Sequence, residues 1–229
     1  MGAHRSECAG DCEPADGKPE SIRVPALTAG TILVLSGPAG AGKDSVTREL
    51  EACTSFHKFP SVTTRPMRPG ETPSVPYTFV TDAEFDHLHA SGRLWNQVWV
   101  GGFRYGIQRD ELKRAYDRGD QIVLHLTPQW AHRLRCDFPA AVLVLLKPPS
   151  LLEQRRRLLH RGATNEEVQR RLTDADIQSP SSEGFDLVLV NETDRLHETV
   201  QRVVDLIDGR SRSRGWDVGG MPAQSLATQ

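Results

Sequence analysis

Gly37-Pro38-Ala39-Gly40-Ala41-Gly42-Lys43 sets glycines and one lysine at the spacing G-x-x-x-x-G-K, a pattern suited to holding a polyphosphate. Glycines let the backbone fold back so that successive N–H groups converge on one anion. A following helix adds the positive end of its dipole, and Lys43 reaches the outer phosphates. Gly37, Ala39, Gly40, Ala41, Gly42, Lys43, Asp44 and Ser45 are the candidate phosphate contacts. Where this pattern usually carries a Ser or Thr hydroxyl for Mg²⁺, the chain has the carboxylate of Asp44, with Ser45 behind it. Both are oxygen donors and both are candidate Mg²⁺ ligands.

A second constellation follows at Ser61-Val62-Thr63-Thr64-Arg65-Pro66-Met67-Arg68-Pro69-Gly70-Glu71 and Tyr77-Thr78-Phe79-Val80. A phosphate dianion is best gripped by planar guanidinium forks, with hydroxyl donors on its remaining oxygens. Arg65 and Arg68 with Ser61, Tyr77 and Tyr105 could form such a clamp. Taken alone, the two arginines read rather as solvated charges on an exposed turn, and it is the register of Tyr77 and Tyr105 that reverses this. Arg155-Arg156-Arg157 and Arg161 lie further on, and of these Arg155 reads as a solvated helix face.

These side chains need a scaffold, and hydrophobic patterning supplies one. Thr31 to Leu35 is a continuous apolar run, as in a buried parallel strand, and leads directly into the glycine loop. A helix is expected over 45–53, strands over 59–65 and 77–80, a helix capped by Asp82 through Ala90, and strands over 94–100 and 103–105. The segment from about 61 to 106 is thus a mixed, turn-rich insert. Alternation then resumes with a helix over 108–118, a strand over 121–126, a helix over 128–136 and a strand over 141–146. Ser150 and Glu153 have capping-box spacing for a helix ending near Gly162, followed by a helix over 165–177, a strand over 185–190 and a helix over 194–207. Strands alternating with helices argue an α/β fold with a parallel sheet covered on both faces.

With 229 residues, a net charge of −2 and a pI near 6.4, the chain has no global attraction for nucleic acid or anionic lipid. Its longest apolar run, Ala140 to Leu146, is too short to cross a bilayer. A cytoplasmic protein is expected. Four cysteines make no disulfide scaffold, and Cys8 and Cys12 have no zinc-like partners elsewhere. Residues 1–29 read as a disordered leader and 209–229 as a disordered tail.

Six fragments in register resemble the guanylate kinase family: the glycine loop, S-x-T-T-R-x-x-R-x-G-E, Y-x-F-V with Glu84-Phe85 after it, G-x-x-Y-G (Gly102 to Gly106), P-P-S (Pro148 to Ser150) and R-L-x-x-R-G (Arg157 to Gly162). The resemblance covers about 31–208. It implies a P-loop NTPase fold with a five-stranded parallel core, a nucleoside-monophosphate-binding insert over about 61–106 and a lid over about 157–170. The implied reaction moves the γ-phosphoryl group of ATP, with Mg²⁺, onto GMP, in a monomer or homodimer acting on small nucleotides. Lys43 and the lid residues Arg157, Arg161 and Arg171 would be catalytic, and Ser61, Arg65, Arg68, Tyr77 and Tyr105 would hold the acceptor phosphate.

Three positions depart from that pattern. The base-reading carboxylate of the family falls on Asn96, and the acidic residue ending the next core strand falls on His125, with Thr127 where another Asp is usual. Guanine offers two adjacent donors, which a carboxylate matches and an amide does not. His125 reads either as a packed histidine or as a substrate-reading one. Asp44-Ser45 resembles the ribose 1,5-bisphosphate phosphokinases, which carry G-K-D-S, and Asp44 could replace the carboxylate lost near His125. Two alternatives to GMP kinase therefore stand: the same reaction on another nucleotide or a ribose phosphate, and a non-catalytic interaction module.

Overall fold

The structure, a computed structural model, describes residues 30–68, 71–73, 76–173 and 182–213. The expected leader, Pro69-Gly70, the end of the helix expected over 165–177 and the chain beyond 213 lie outside the described residues. In chain order the elements are β1 (Thr31–Ser36), α1 (Lys43–Cys53), β2 (His57–Lys58), β3 (Ser61–Thr63), β4 (Thr72–Pro73), β5 (Pro76–Phe79), α2 (Asp82–Ala90), β6 (Leu94–Val100) and β7 (Phe103–Gln108). There follow α3 (Arg109–Asp117), β8 (Gln121–His125), α4 (Pro128–Asp137), β9 (Val142–Lys147), α5 (Leu151–His160), α6 (Asn165–Thr173), β10 (Leu187–Val190) and α7 (Leu196–Ser213).

Five parallel strands form the core sheet in the order β10-β9-β1-β8-β2. The strand feeding the glycine loop is central, so both its faces are buried, and side chains alternate between them. Leu33 and Leu35 join Val46 and Leu50 of α1 and Val200, Val203 and Ile207 of α7 on one face. Ile32 and Val34 join Leu112 of α3 and Ala131 and Leu134 of α4 on the other. The expected α/β fold with a five-stranded parallel sheet between helices is the one observed.

A second, mixed sheet has the order β4-β5-β3-β7-β6. Val62, Phe85 and Leu94 give it a small core of its own under α2. Thr81, not Asp82, caps α2: its hydroxyl accepts from Glu84 N–H at 3.2 Å while the Glu84 carboxylate accepts from Thr81 N–H at 2.7 Å. The strand expected over 59–65 is confined to Ser61–Thr63, and an unexpected short strand precedes it in the other sheet. His57–Lys58 pairs with β8, Phe59-Pro60 carries the chain across, and Ser61–Thr63 pairs with β5 and β7. Pro60 has no N–H to donate to a ladder, so continuous pairing through it is disfavoured.

The last helix overruns its expected end and reaches Ser213, because Arg210 on it pairs with buried Asp186. Among the described residues no helix is long and apolar enough to cross a membrane.

Candidate active site

The glycine loop joins β1 to α1 and is braced from behind. Gly37 has φ +132° and a Cβ there would lie 2.1 Å from Leu146 O; Gly42 has φ +95° and its Cβ would lie 2.1 Å from Asn191 Nδ2. Both positions demand glycine on conformation and on space. Gly42 is the N-cap of α1 and gives no side-chain cap, so the helix start keeps backbone donors open to an anion. Asn191 Nδ2 donates to Ala41 O at 3.0 Å, and Thr199 Oγ1 donates to Asn191 Oδ1 at 3.1 Å. Buried Gln154 donates to Ala39 O at 2.8 Å. Sequence reasoning missed Asn191 and Gln154. Nothing in one sequence says that an amide distant along the chain will meet a loop carbonyl.

Lys43 Nζ donates to Gly37 O at 2.6 Å and Pro38 O at 2.9 Å, lying back over the loop. Burial, only partly opposed by Asp44, pulls its pKa from 10.5 to about 8. Asp44 sits beside it, about half exposed, 3.0 Å from Lys58 Nζ, 3.5 Å from Arg161 Nη1 and 3.6 Å from His125 Nδ1. Burial works to raise the Asp44 pKa, but Lys58 and Arg161 outweigh it and hold the carboxyl well below the usual range. Ser45 follows, partly buried.

His125 closes this group from the end of β8. Burial first, then Lys58 and Lys43, lower its pKa to about 3, so the imidazole is neutral at pH 7. Thr47 Oγ1 lies 2.8 Å from Nε2 and 2.9 Å from Lys43 O, and Nδ1 faces the Asp44 carboxylate at 3.6 Å. His125 and Asp44 share one place in the fold, although 81 positions separate them in the sequence.

On the second sheet, alternation puts Ser61 and Thr63 of β3 on one face, and register pairs Ser61 with Tyr77 and Thr63 with Tyr105. Tyr77 and Tyr105 meet edge to face at 6.0 Å between centroids. The buried Arg65 guanidinium stands 5.2 Å from the Tyr77 ring and 5.4 Å from Phe79. Glu71 holds it at 2.8 and 3.0 Å and Pro66 O accepts at 2.7 Å, which uses three of its five donors. Arg68 is exposed, and its backbone N–H donates to Glu71 at 2.8 Å. Ser61, Arg65, Tyr77 and Tyr105 are thus brought together, with Arg68 at the open edge.

Asn96 is buried at the irregularity of the β6–β7 ladder, where its Oδ1 accepts from Ile107 N–H at 2.9 Å, which takes one of the two lone pairs of that oxygen. Arg157 also differs from an extended lid arginine. It lies against Glu153, Gly40 O (3.3 Å), Asn191 O (2.9 Å) and Thr193 (3.0 Å), so it braces the glycine loop. Glu153 turns to Arg156 and Arg157 instead of back to Ser150, so only half of the expected capping box forms. Arg161 reaches Asp44, and Arg171 is partly buried on α6.

One further residue escaped the sequence reading. Lys58, at the end of β2, bonds Asp44 and stands 5.3 Å from the Tyr77 ring, between the loop and the clamp.

Comparison with known proteins agrees with this arrangement. The sequence model described as guanylate kinase matches residues 29–210. A guanylate kinase of Thermobifida fusca is 42% identical over 182 residues, covering 77% of this chain and 90% of its own. One from Thermus thermophilus is 35% identical over 188 residues, covering 81% and 84%. Among solved structures, the guanylate kinase of Anaplasma phagocytophilum superposes with a TM-score of 0.60 at 30% identity, covering 79% of this chain and 86% of that one.

Proposed function

The chain belongs to the guanylate kinase family, and we propose that it transfers the γ-phosphoryl group of ATP to GMP, releasing ADP and GDP. The observation that carries this reading is the pairing of a complete glycine cradle, Lys43 included, with the Ser61–Arg65–Tyr77–Tyr105 face one short crossover away. The proposal makes the second sheet the acceptor-binding unit and the segment around 157–170 the lid, in a cytoplasmic monomer or homodimer.

In the reaction a phosphate oxygen of GMP bonds to the γ-phosphorus as the bond from that phosphorus to the β–γ bridging oxygen breaks. Monophosphates have a second pKa of about 6, so the attacking oxygen is already ionised at pH 7 and needs no strong base. Catalysis is then positioning plus cations around a loose transition state. Lys43 serves the β- and γ-phosphates, Arg65 and Arg68 with the two tyrosines hold the acceptor phosphate, and Arg161 and Arg171 add charge from the lid side. Arg157 supports the loop from behind. Mg²⁺ bound with ATP would supply charge neutralisation on the β- and γ-phosphates. Asp44, kept ionised and half exposed, and Ser45 offer the hard oxygen donors that fit it, directly or through water.

A second reading keeps the reaction and changes the acceptor to another nucleotide or a ribose phosphate. Asn96 favours it, since an amide with one lone pair of its oxygen already bonded cannot match guanine's two adjacent donors as a carboxylate does. ADP release measured with GMP, the other nucleoside monophosphates and ribose phosphates decides. GMP turned over in clear preference upholds the first reading, and preference for another acceptor replaces it with the second. Failure to bind ATP by calorimetry would leave a non-catalytic module.

A further inference from the structure

We propose that Lys58 is a phosphate ligand of this site, a cation that grips the acceptor phosphate together with Arg65. The inference rests on the phosphotransfer reading and extends its clamp by one residue.

Position is the first argument. Lys58 is the last residue of the core sheet before Phe59-Pro60 carries the chain into the second sheet, so it stands on the seam between the two. Its ammonium is 3.0 Å from Asp44, which directly follows Lys43, and 5.3 Å from the ring of Tyr77. The guanidinium of Arg65 stands 5.2 Å from that same ring. One aromatic side chain of the clamp therefore has two cations around it, and one of them also touches the donor loop.

Charge is the second. Lys58 and Arg161 both pair with Asp44, and Lys43 directly precedes it in the chain, so three cations stand around one carboxylate. Arg65 pairs with Glu71, which also accepts from Arg68 N–H. An excess of positive charge in a partly desolvated seam is costly without an anion, and a phosphate dianion between loop and clamp balances it.

Chemistry is the third. The Lys58 side chain is 15% exposed, and its ammonium bonds Asp44, whose own side chain is about half exposed. A lysine offers three donors on a flexible stem and can stay on Asp44 while donating to a phosphate oxygen; Arg65, with two donors left beyond Glu71 and Pro66, leaves such oxygens to be filled.

The test compares Lys58→Met and Lys58→Arg with the wild-type chain. Steady-state constants are measured for ATP and for the acceptor that wild type turns over, with calorimetric binding of inorganic phosphate and a melting curve. Loss of one charge-assisted contact predicts an acceptor KM raised roughly tenfold to a hundredfold in Lys58→Met, with the KM for ATP within about threefold. Lys58→Arg should recover most of the loss, because it keeps the charge. Unchanged acceptor KM and phosphate affinity in Lys58→Met would overturn the proposal, as would equal losses for both substrates with no recovery in Lys58→Arg. If Lys58→Met does not fold, Lys58→Gln is measured in its place. Phosphate binding separates the two levels: a wild type that turns nothing over refutes phosphotransfer, while weaker phosphate binding by the variant still upholds Lys58, and equal binding rejects it.

Discussion

Lys43 shows how burial sets the working range of a charge. In the free protein it loses its proton as pH rises through about 8, well below its ordinary 10.5. A polyphosphate favours the charged form, so the complex keeps the proton to higher pH than the free protein does. Linkage then makes ATP affinity flat below about pH 7 on this account and falling above about 8, by up to roughly tenfold per pH unit. The same shift has the opposite sense for folding: the unfolded chain binds the extra proton between about 8 and 10.5, so this group's contribution to stability rises with pH there. Calorimetric titration of ATP from about pH 6.5 to 9.5 checks the first statement. Lys43→Arg, which stays charged throughout, should bind more weakly and without the alkaline decline; a wild-type affinity flat to pH 9.5 would refute it. Lys43 and Asp44 were legible because their spacing from the glycines is local. The partners of Asp44 were not, because Lys58 lies 14 positions and Arg161 117 positions away, and only the fold brings them together. The bond from Ile107 N–H to Asn96 was hidden for the same reason, since only the fold brings the ladder irregularity to its oxygen.

Among elements, the glycine loop owes its shape to β10 as much as to its own residues. Asn191 is 4% exposed, joins Ala41 O to the Thr199 hydroxyl, and stands where a Cβ on Gly42 would have to go. Asn191→Ala strands Ala41 O and leaves room for Gly42 to relax. The expected cost is about 1–3 kcal/mol of folding stability. ATP affinity should fall about fivefold, and acceptor binding, which uses the other sheet, should hold. Urea unfolding and calorimetry with each substrate check this; an unchanged affinity for ATP would show that the loop keeps its form unaided. Element types were mostly legible, since the long apolar strands and periodic helices carry their signal locally: α2 and β6 fall on their expected ranges. The crossing at Phe59-Pro60 was not, because β2 is two residues long and carries no periodic signal, and the sheet each strand joins is set by partners far along the chain.

At the scale of the whole molecule, one carboxylate ties together helices from opposite faces of the core sheet. Asp186, just before β10, accepts from Leu143 N–H of β9 at 2.7 Å and bonds both Arg135 of α4 and Arg210 of α7. Arg135 donates further to Gly184 O at 2.9 Å, and Arg210 to Ala141 O at 3.4 Å. Because α4 packs on one face and α7 on the other, this cluster closes the core at its edge and draws the last helix past its expected end. Its partners were invisible to periodicity, which ranks Arg210 as part of a polar tail. Asp186 is 10% exposed, so Asp186→Ala leaves two guanidinium groups and a strand N–H without their shared acceptor. Removing one partner of a largely buried charge cluster costs about 3 kcal/mol, or roughly 6–12 °C in melting temperature for a domain of this size. Asp186 accepts from Leu143 N–H, Arg135 and Arg210, at the end of the sheet that β10 and β9 form, so kcat and both KM values per folded molecule should stay within about twofold at 25 °C. A melting temperature unchanged in Asp186→Ala would refute the tie, and a lower kcat without a lower melting temperature would place Asp186 in the catalytic apparatus instead.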